Sequence, residues 1–415
     1  MKILLSAFAC APNTGSEPGV GWRWAIELAK QHEVVVVTDA TRRHLIEPFL
    51  AEHPVTSLRV LYFRPSCLRS TPLNSWTAQL LYTAWQFGLW EFAKRLHRVE
   101  KFDVAMHVTY GVFRHPSFLG YLGIPFVFGP LGGGEDAPWR LKRSIRGREK
   151  IKELLRAALN KVSLVDPFLW IAFAGASSIL VKTQDTQNAL PWPFRRRALV
   201  YPEIGIDTSP TVVPCTRSAD QPLRVLFAGR LLGWKGAHLA IRAVALARAR
   251  GIPVDFTLVG RGPCEQELHR LSESLGEHGN VNWISQIPQQ ELFALYGTMH
   301  CFLFPSLHDS SGNVVLEAQA NGLPVICLEV GGPATLVTDE SAIVISINGD
   351  ETSVIEGLAG ALQKFFENEG QRLEMAKAAI LHAASFAWND RALGALKTLS
   401  AHSAEVNGQR SLEKT

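Results

Sequence analysis

Asp309-Ser310-Ser311-Gly312-Asn313-Val314-Val315-Leu316-Glu317-Ala318 is the stretch on which the reading of this chain turns. It follows the apolar run Cys301-Phe302-Leu303-Phe304-Pro305 and leads into Ala320-Asn321-Gly322-Leu323-Pro324-Val325-Ile326. A short buried strand ends, a loop of small residues turns, and a helix begins with two acidic side chains bracketing its first turns. Such a loop offers backbone N–H groups and the positive end of a helix dipole to an anion. Glu317 follows Asp309 by eight residues, two turns further along, and is placed to accept two ribose hydroxyls. The pattern suits a nucleoside diphosphate joined to something else.

The rest of the chain bounds that reading. At 415 residues it is too long for one ordinary core, and two domains are expected. With 47% apolar and 19% charged residues, disorder over most of the length is excluded. Six cysteines, at 10, 67, 215, 264, 301 and 327, form no close pair and no cluster with histidine. That argues against a zinc site and for a reducing, cytoplasmic compartment. The apolar start, Met1 to Ala11, reads as a buried first strand rather than an export signal, because it runs directly into a glycine loop and a helix. No uninterrupted apolar run reaches spanning length, so a soluble or peripheral protein is expected. A net charge of +4 is too mild to imply nucleic acid.

Strands and helices alternate. Ile3–Ala9, Glu33–Thr38, Leu58–Phe63, Val104–Val108 and Phe126–Phe128 read as strands, with helices at Trp22–Gln31 and Thr77–Val99. A proline-rich linker, Tyr201–Gln221, follows, and then the pattern restarts. Strands at Arg224–Ala228, Asp255–Val259, Val281–Ile284, Cys301–Phe304 and Pro324–Leu328 are separated by helices at Gly236–Arg250, Cys264–Leu275 and Gln289–Tyr296. Short apolar strands between amphipathic helices indicate parallel sheets covered on both faces. The fold class is therefore α/β, with two Rossmann-like domains and a ligand cleft between them.

The second half resembles the nucleotide-binding domain of retaining glycosyltransferases of family 4, which have the GT-B fold. The resemblance rests on Phe227-Ala228-Gly229-Arg230-Leu231-Leu232-Gly233-Trp234-Lys235-Gly236, on Leu258-Val259-Gly260-Arg261-Gly262-Pro263, and on Pro305-Ser306 through Val325. In the first half, Gly15-Ser16-Glu17-Pro18-Gly19-Val20-Gly21-Trp22 resembles the family's first glycine loop. It implies an N-terminal acceptor-binding domain over 1–205 and a nucleotide-sugar-binding domain over 206–385. Residues 386–405 would cross back as a terminal helix.

By this resemblance Arg230 and Lys235 are the diphosphate-binding pair, neutralising charge that develops on the leaving phosphate, each worth about 3 kcal/mol in a closed site. Gly312 and Asn313 add N–H donors, Gly229 and Gly260 let backbone pass close to the donor, and Glu317 takes the ribose. Asp309 stands where the family usually has a Glu, one methylene longer, reaching toward the donor sugar; as a helix N-cap it would have a structural role instead. No metal is expected, since no Asp-x-Asp triplet is present and the cations supply the charge.

In the first domain Gly15, Gly19 and Gly21 are expected to approach an acceptor or a phosphate, and Glu17 either contacts a substrate or caps the next helix. Their order is not the Gly-x-Gly-x-x-Gly fingerprint, which weakens a dehydrogenase reading. His107 ends a strand, as catalytic-face residues of parallel sheets do, and His115 follows; either could hydrogen-bond the donor sugar or serve structurally. The histidine that many family members carry after the next strand is replaced by Phe128-Gly129-Pro130-Leu131-Gly132-Gly133-Gly134-Glu135, which makes Glu135 the candidate for its place.

The aromatic stretch Leu80 to Phe92 beside the basic stretch Arg140 to Arg156 suits a peripheral enzyme meeting a lipid-linked acceptor, or else a core helix followed by a solvated one. The last dozen residues read as a frayed tail. The expected activity is retaining transfer of a sugar from a nucleoside-diphosphate sugar to an unidentified acceptor. A nucleotide-sugar epimerase or a non-catalytic sugar-nucleotide-binding protein is the alternative.

Overall fold

The computed structural model describes residues 1–68, 78–143, 145, 147–207, 212–277 and 279–399. The expected tail and residue 77 of the expected long helix lie outside these.

Seven parallel strands form the first sheet: β1 (Lys2–Ser6), β2 (Glu33–Asp39), β3 (Leu58–Phe63), β4 (Val104–His107), β5 (Phe126–Leu131), β6 (Ser178–Val181) and β7 (Ala198–Val200). Their order is β3-β2-β1-β4-β5-β6-β7. The second sheet has six parallel strands: β8 (Leu223–Ala228), β9 (Val254–Val259), β10 (Val281–Ile284), β11 (Cys301–Phe304), β12 (Val325–Leu328) and β13 (Ala342–Ile345). Its order, β10-β9-β8-β11-β12-β13, repeats the doubly wound pattern of the first. Central strands such as Val34-Val35-Val36-Val37 are buried on both faces because helices cover both, which is why they read as unbroken apolar runs.

The chain divides into two compact units. Met1–Gly134, Ala157–Ile204 and the segment from Trp388 make the first; Glu135–Arg156 and Gly205–Ala387 make the second. The helix at 388–399 thus belongs with the first unit, where Tyr201 Oη donates to the carbonyl of Arg391 at 2.6 Å. Residues 135–156 leave the half of the chain in which they were expected. The contact of Glu153 Oε1 with His308 Nε2 (2.7 Å) and a backbone bond from Ala137 N to Leu307 O (2.9 Å) tie them to the second unit.

One expectation about local structure is corrected. The glycine loop expected over Gly15–Trp22 is mostly helix, which begins at Ser16 and runs to Ala29. Gly19 and Gly21 lie inside it, where a side chain would collide with the carbonyls of Thr14 and Ala9. Their small size therefore serves close packing of this helix. Strands β6, β7 and β13 were not foreseen, being only three or four residues long. Among the described residues no single helix is long and apolar enough to cross a membrane.

Candidate functional site

In a doubly wound sheet, ligands bind beyond the carboxyl ends of the strands where the order reverses. In the second unit that point lies between β8 and β11, and the two loops that leave there carry most of the residues singled out in the sequence. The loops are knitted together: Leu307 N donates to Trp234 O at 2.8 Å, and Ser306 Oγ to the same carbonyl at 3.2 Å. Gly236, at φ +77°, lies so near the Pro305 carbonyl that no side chain fits, so glycine there both permits the turn and lets the loops touch.

Lys235, leaving β8, forms an ion pair with Asp309, leaving β11. Its ammonium also lies over the rings of Trp234 (4.6 Å) and Phe304 (5.1 Å). Burial by itself would raise the Asp309 carboxyl, but the Lys235 charge and backbone N–H groups of Ser311 and Gly312 outweigh it and hold the group below the usual carboxylate range. Asp309 is not a helix cap. The helix begins at Asn313, and its cap is Gly312, in the left-handed region at φ +67°. Arg230 is exposed on the loop that carries Lys235, and among the described residues no ion pair engages it.

Glu317 stands one turn into the helix Asn313–Ala320, its Oε1 accepting from Gln289 Nε2 at 3.3 Å. Its apolar surroundings push the carboxyl up to about 7, with Gln289 opposing. A carboxylate so poorly solvated gains most from hydroxyl donors. At the same helix start Asn313 Oδ1 is buried without a hydrogen-bond partner among the described residues. Gly229 and Gly260 bring the ends of β8 and β9 together: Gly229 N donates to Val259 O (2.9 Å), and a side chain on Gly260 would strike the Gly229 carbonyl.

Glu135 belongs to the second unit and is buried there. Its side chain lies against Gly331, whose neighbour Gly332 donates its N–H to Asp309 O at 2.7 Å. The structure thus brings Glu135, Lys235 and Asp309 to one place.

Motif reasoning missed a network just behind them. His308 stacks on Trp234 (centroids 4.3 Å apart), and its Nε2 lies 2.7 Å from Glu153 Oε1. Glu153 also accepts from buried Lys142 Nζ at 3.0 Å, and Lys142 pairs with Asp136. Burial alone would raise Glu153, but His308, Arg156 and Lys142 pull it down to about 2. The only signal in the sequence was the alternation of charges between Asp136 and Arg156, which a solvated helix shares.

The histidine expectations for the first unit are corrected. His107 ends β4, but both ring nitrogens are held inside the core: Nδ1 lies 3.1 Å from Ser6 Oγ and Nε2 2.9 Å from Tyr82 Oη. Burial lowers it to about 3, so it is a neutral, satisfied core residue, not a catalytic one. His115 is likewise lowered by burial, to about 4; its Nδ1 lies 3.2 Å from Thr83 Oγ1, and its buried Nε2 has no partner among the described residues. Glu17 neither caps a helix nor stands free. It accepts from Tyr110 N (2.9 Å) and from Lys182 Nζ (3.1 Å), and Lys182 in turn pairs with Glu203 at 2.7 Å. Of the three glycines only Gly15 has open space where a side chain would be. Among the described residues no three His, Cys, Asp or Glu side chains are grouped to hold a metal ion.

Residues 215–382 match the family described as Glycosyl transferases group 1. Among curated proteins the chain is similar to D-inositol 3-phosphate glycosyltransferase of Corynebacterium aurimucosum, 31% identical over 171 residues, which are 40% of this chain and 39% of that protein. The chain thus matches about two fifths of the length of such relatives. Among solved structures it is similar to sucrose-phosphate synthase of Thermosynechococcus elongatus (TM-score 0.64, 17% identity, 97% of this chain and 99% of that one). It is also similar to Anabaena HepE in complex with UDP and glucose (TM-score 0.60, 18% identity, 97% and 100%). The fold is GT-B, built of two Rossmann-like units.

Proposed function

We propose that this chain, whose residues 215–382 match the glycosyl transferases of group 1, is a retaining glycosyltransferase of the family-4 type. It moves a sugar from a nucleoside-diphosphate sugar to an acceptor in glycan, polysaccharide or glycolipid synthesis. The observation that carries this reading is the Lys235–Asp309 pair at the switch point of the second sheet, with Glu317 one turn into the adjoining helix.

Each group has a task. Arg230 and Lys235 neutralise the charge that grows on the leaving diphosphate, helped by backbone N–H groups at Gly312 and Asn313. Glu317 accepts the ribose hydroxyls. Asp309 and Glu135 face the donor sugar. In front-face attack the bond from the anomeric carbon to the phosphate oxygen breaks while the acceptor oxygen bonds to that carbon on the same side, and the acceptor's proton passes to the departing phosphate. The side-chain cations take the place that a divalent metal would otherwise fill. UDP-glucose is the first donor to try, because HepE is similar in fold and is described with UDP and glucose.

A cytoplasmic site, peripheral to the membrane, completes the proposal; among the described residues Cys10, Cys215, Cys264, Cys301 and Cys327 are free thiols, which fits a reducing compartment. The test is release of nucleoside diphosphate from donor in the presence of glycan and lipid acceptor fractions. Release that depends on acceptor and disappears in Lys235→Ala is expected. Nucleotide binding without any acceptor-dependent release would favour the non-catalytic alternative.

A further inference from the structure

The helix Gly147–Val162 is amphipathic but mounted inside out. Its polar stripe faces protein: Glu153 binds Lys142, Arg156 Nη1 donates to Glu135 O (2.8 Å), and Asn160 Nδ2 donates to Gly133 O (3.0 Å). Its apolar stripe faces solvent. Ile151, Leu154, Leu155, Leu159 and Val162, at the three- and four-residue spacings of one helical face, are between 43% and 66% exposed. Beyond the helix Val165, Phe168 and Ile171 continue the exposed apolar series. An ordinary surface helix is oriented the other way round. Nothing in the polar contacts leaves freedom for this one to rotate, because each of them would be lost.

We propose that this stripe docks the protein on an anionic lipid bilayer. The helix is basic, with Arg148, Lys150, Lys152, Arg156 and Lys161 against only Glu149 and Glu153, and Lys150, Lys152 and Lys161 are exposed beside the apolar stripe. Lysine is depleted in the cores of protein–protein interfaces but suits a bilayer surface, where its stem lies along apolar ground and its ammonium reaches phosphate. A convex helix face about 17 Å long, well short of the ~30 Å of a span, fits a plane better than a groove. Residues Glu149–Val165 and Pro167–Gly175 together are long and apolar enough for a span, but they bend by 66° and so suit lying in the interface. The inference deepens the peripheral position proposed above and rests on that reading, not on the donor chemistry, so vesicle binding and nucleotide binding fail separately.

The test is cosedimentation of the full chain with vesicles of phosphatidylcholine alone and with added phosphatidylglycerol. Binding to the anionic vesicles that weakens at high salt is expected. Leu155→Gln with Leu159→Gln should weaken it at least about tenfold while leaving Tm and nucleotide binding unchanged, since both side chains are exposed. Lys150→Glu with Lys161→Glu should remove the preference for anionic lipid. The proposal is overturned if the wild-type chain binds neither vesicle or if the leucine variant binds as well as wild type. It is equally overturned if the stripe proves to be covered by a second copy, seen as a concentration-dependent dimer that the leucine substitutions abolish.

Discussion

Lys235 and Asp309, 74 positions apart in the chain, meet as an ion pair because two loops leave the second sheet side by side at its switch point. The ammonium expected to meet a diphosphate is thus already matched with a carboxylate, and the two anions compete for it. Asp309→Asn ends the competition. It should tighten nucleoside diphosphate binding by about tenfold, on the order of 1 kcal/mol, because the largely buried Lys235 ammonium is then without a counter-charge until the diphosphate arrives. Turnover should fall by about a hundredfold through loss of a group facing the donor sugar. Calorimetry and steady-state rates separate the two effects; weaker binding in the variant would mean that Asp309 supports the nucleotide directly.

Glu317 gives a pH dependence of binding. Its carboxyl is raised to about 7 by burial, and the ionised form is the better acceptor for ribose hydroxyls. Nucleotide affinity should therefore rise with pH through the neutral range, and Glu317→Gln should flatten that profile. Folding runs the opposite way. Between the unfolded value near 4.5 and about 7, the folded chain holds a proton that the unfolded chain has lost, so stability falls as pH rises through this window. Glu317→Gln should gain Tm relative to wild type over the same window and level off above it, read by thermal unfolding at several pH values.

His107 predicts a purely structural effect. His107→Phe leaves Ser6 and Tyr82 without their shared partner in the core, at a cost of roughly 2 kcal/mol. Below the ordinary histidine value near 6.5 the unfolded chain takes up a proton that folded His107 refuses until about 3, so wild-type stability falls as pH falls through that range. The Phe variant lacks this component, and its deficit should shrink at pH 5. Denaturant unfolding at pH 7.5 and pH 5 checks this, and nucleotide affinity should not change.

Glu153 ties the docked segment to the loop that carries Asp309. Glu153→Leu strands buried Lys142 with Asp136 alone and frees His308, costing roughly 3 kcal/mol. Because folded Glu153 stays ionised down to about 2, the wild-type contribution is present above the unfolded value near 4.5 and is lost as pH falls from there toward 2. The difference between variant and wild type should disappear in that acid range. Adding Lys142→Met should recover part of the loss at neutral pH, which chemical denaturation of the single and double variants would show.

Much of this was legible in the chain itself. Continuous apolar runs such as Val34 to Val37 and Cys301 to Phe304 announce buried parallel strands, and glycines at 229, 236, 260 and 312 mark the turns that follow them. The glycines at 19 and 21 misled, because a residue lacking a side chain makes room equally for a phosphate and for a neighbouring carbonyl. His107 misled for a similar reason: a strand end can point its side chain into the core as readily as toward a ligand. The placement of Glu135 to Arg156 with the second unit could not be read at all. It depends on charges meeting partners more than a hundred residues away, such as Glu153 with His308.

The most direct test of the central claim is thermal stabilisation of the purified chain by UDP, GDP, ADP and dTDP, with Lys235→Ala alongside. At about a hundred times Kd, a ligand that binds only the folded chain adds ~2.7 kcal/mol, a rise of several degrees. One nucleotide should give that rise in the wild type and lose it in the variant. No rise with any of the four, or an equal rise in Lys235→Ala, would contradict a diphosphate site at the β8–β11 switch point.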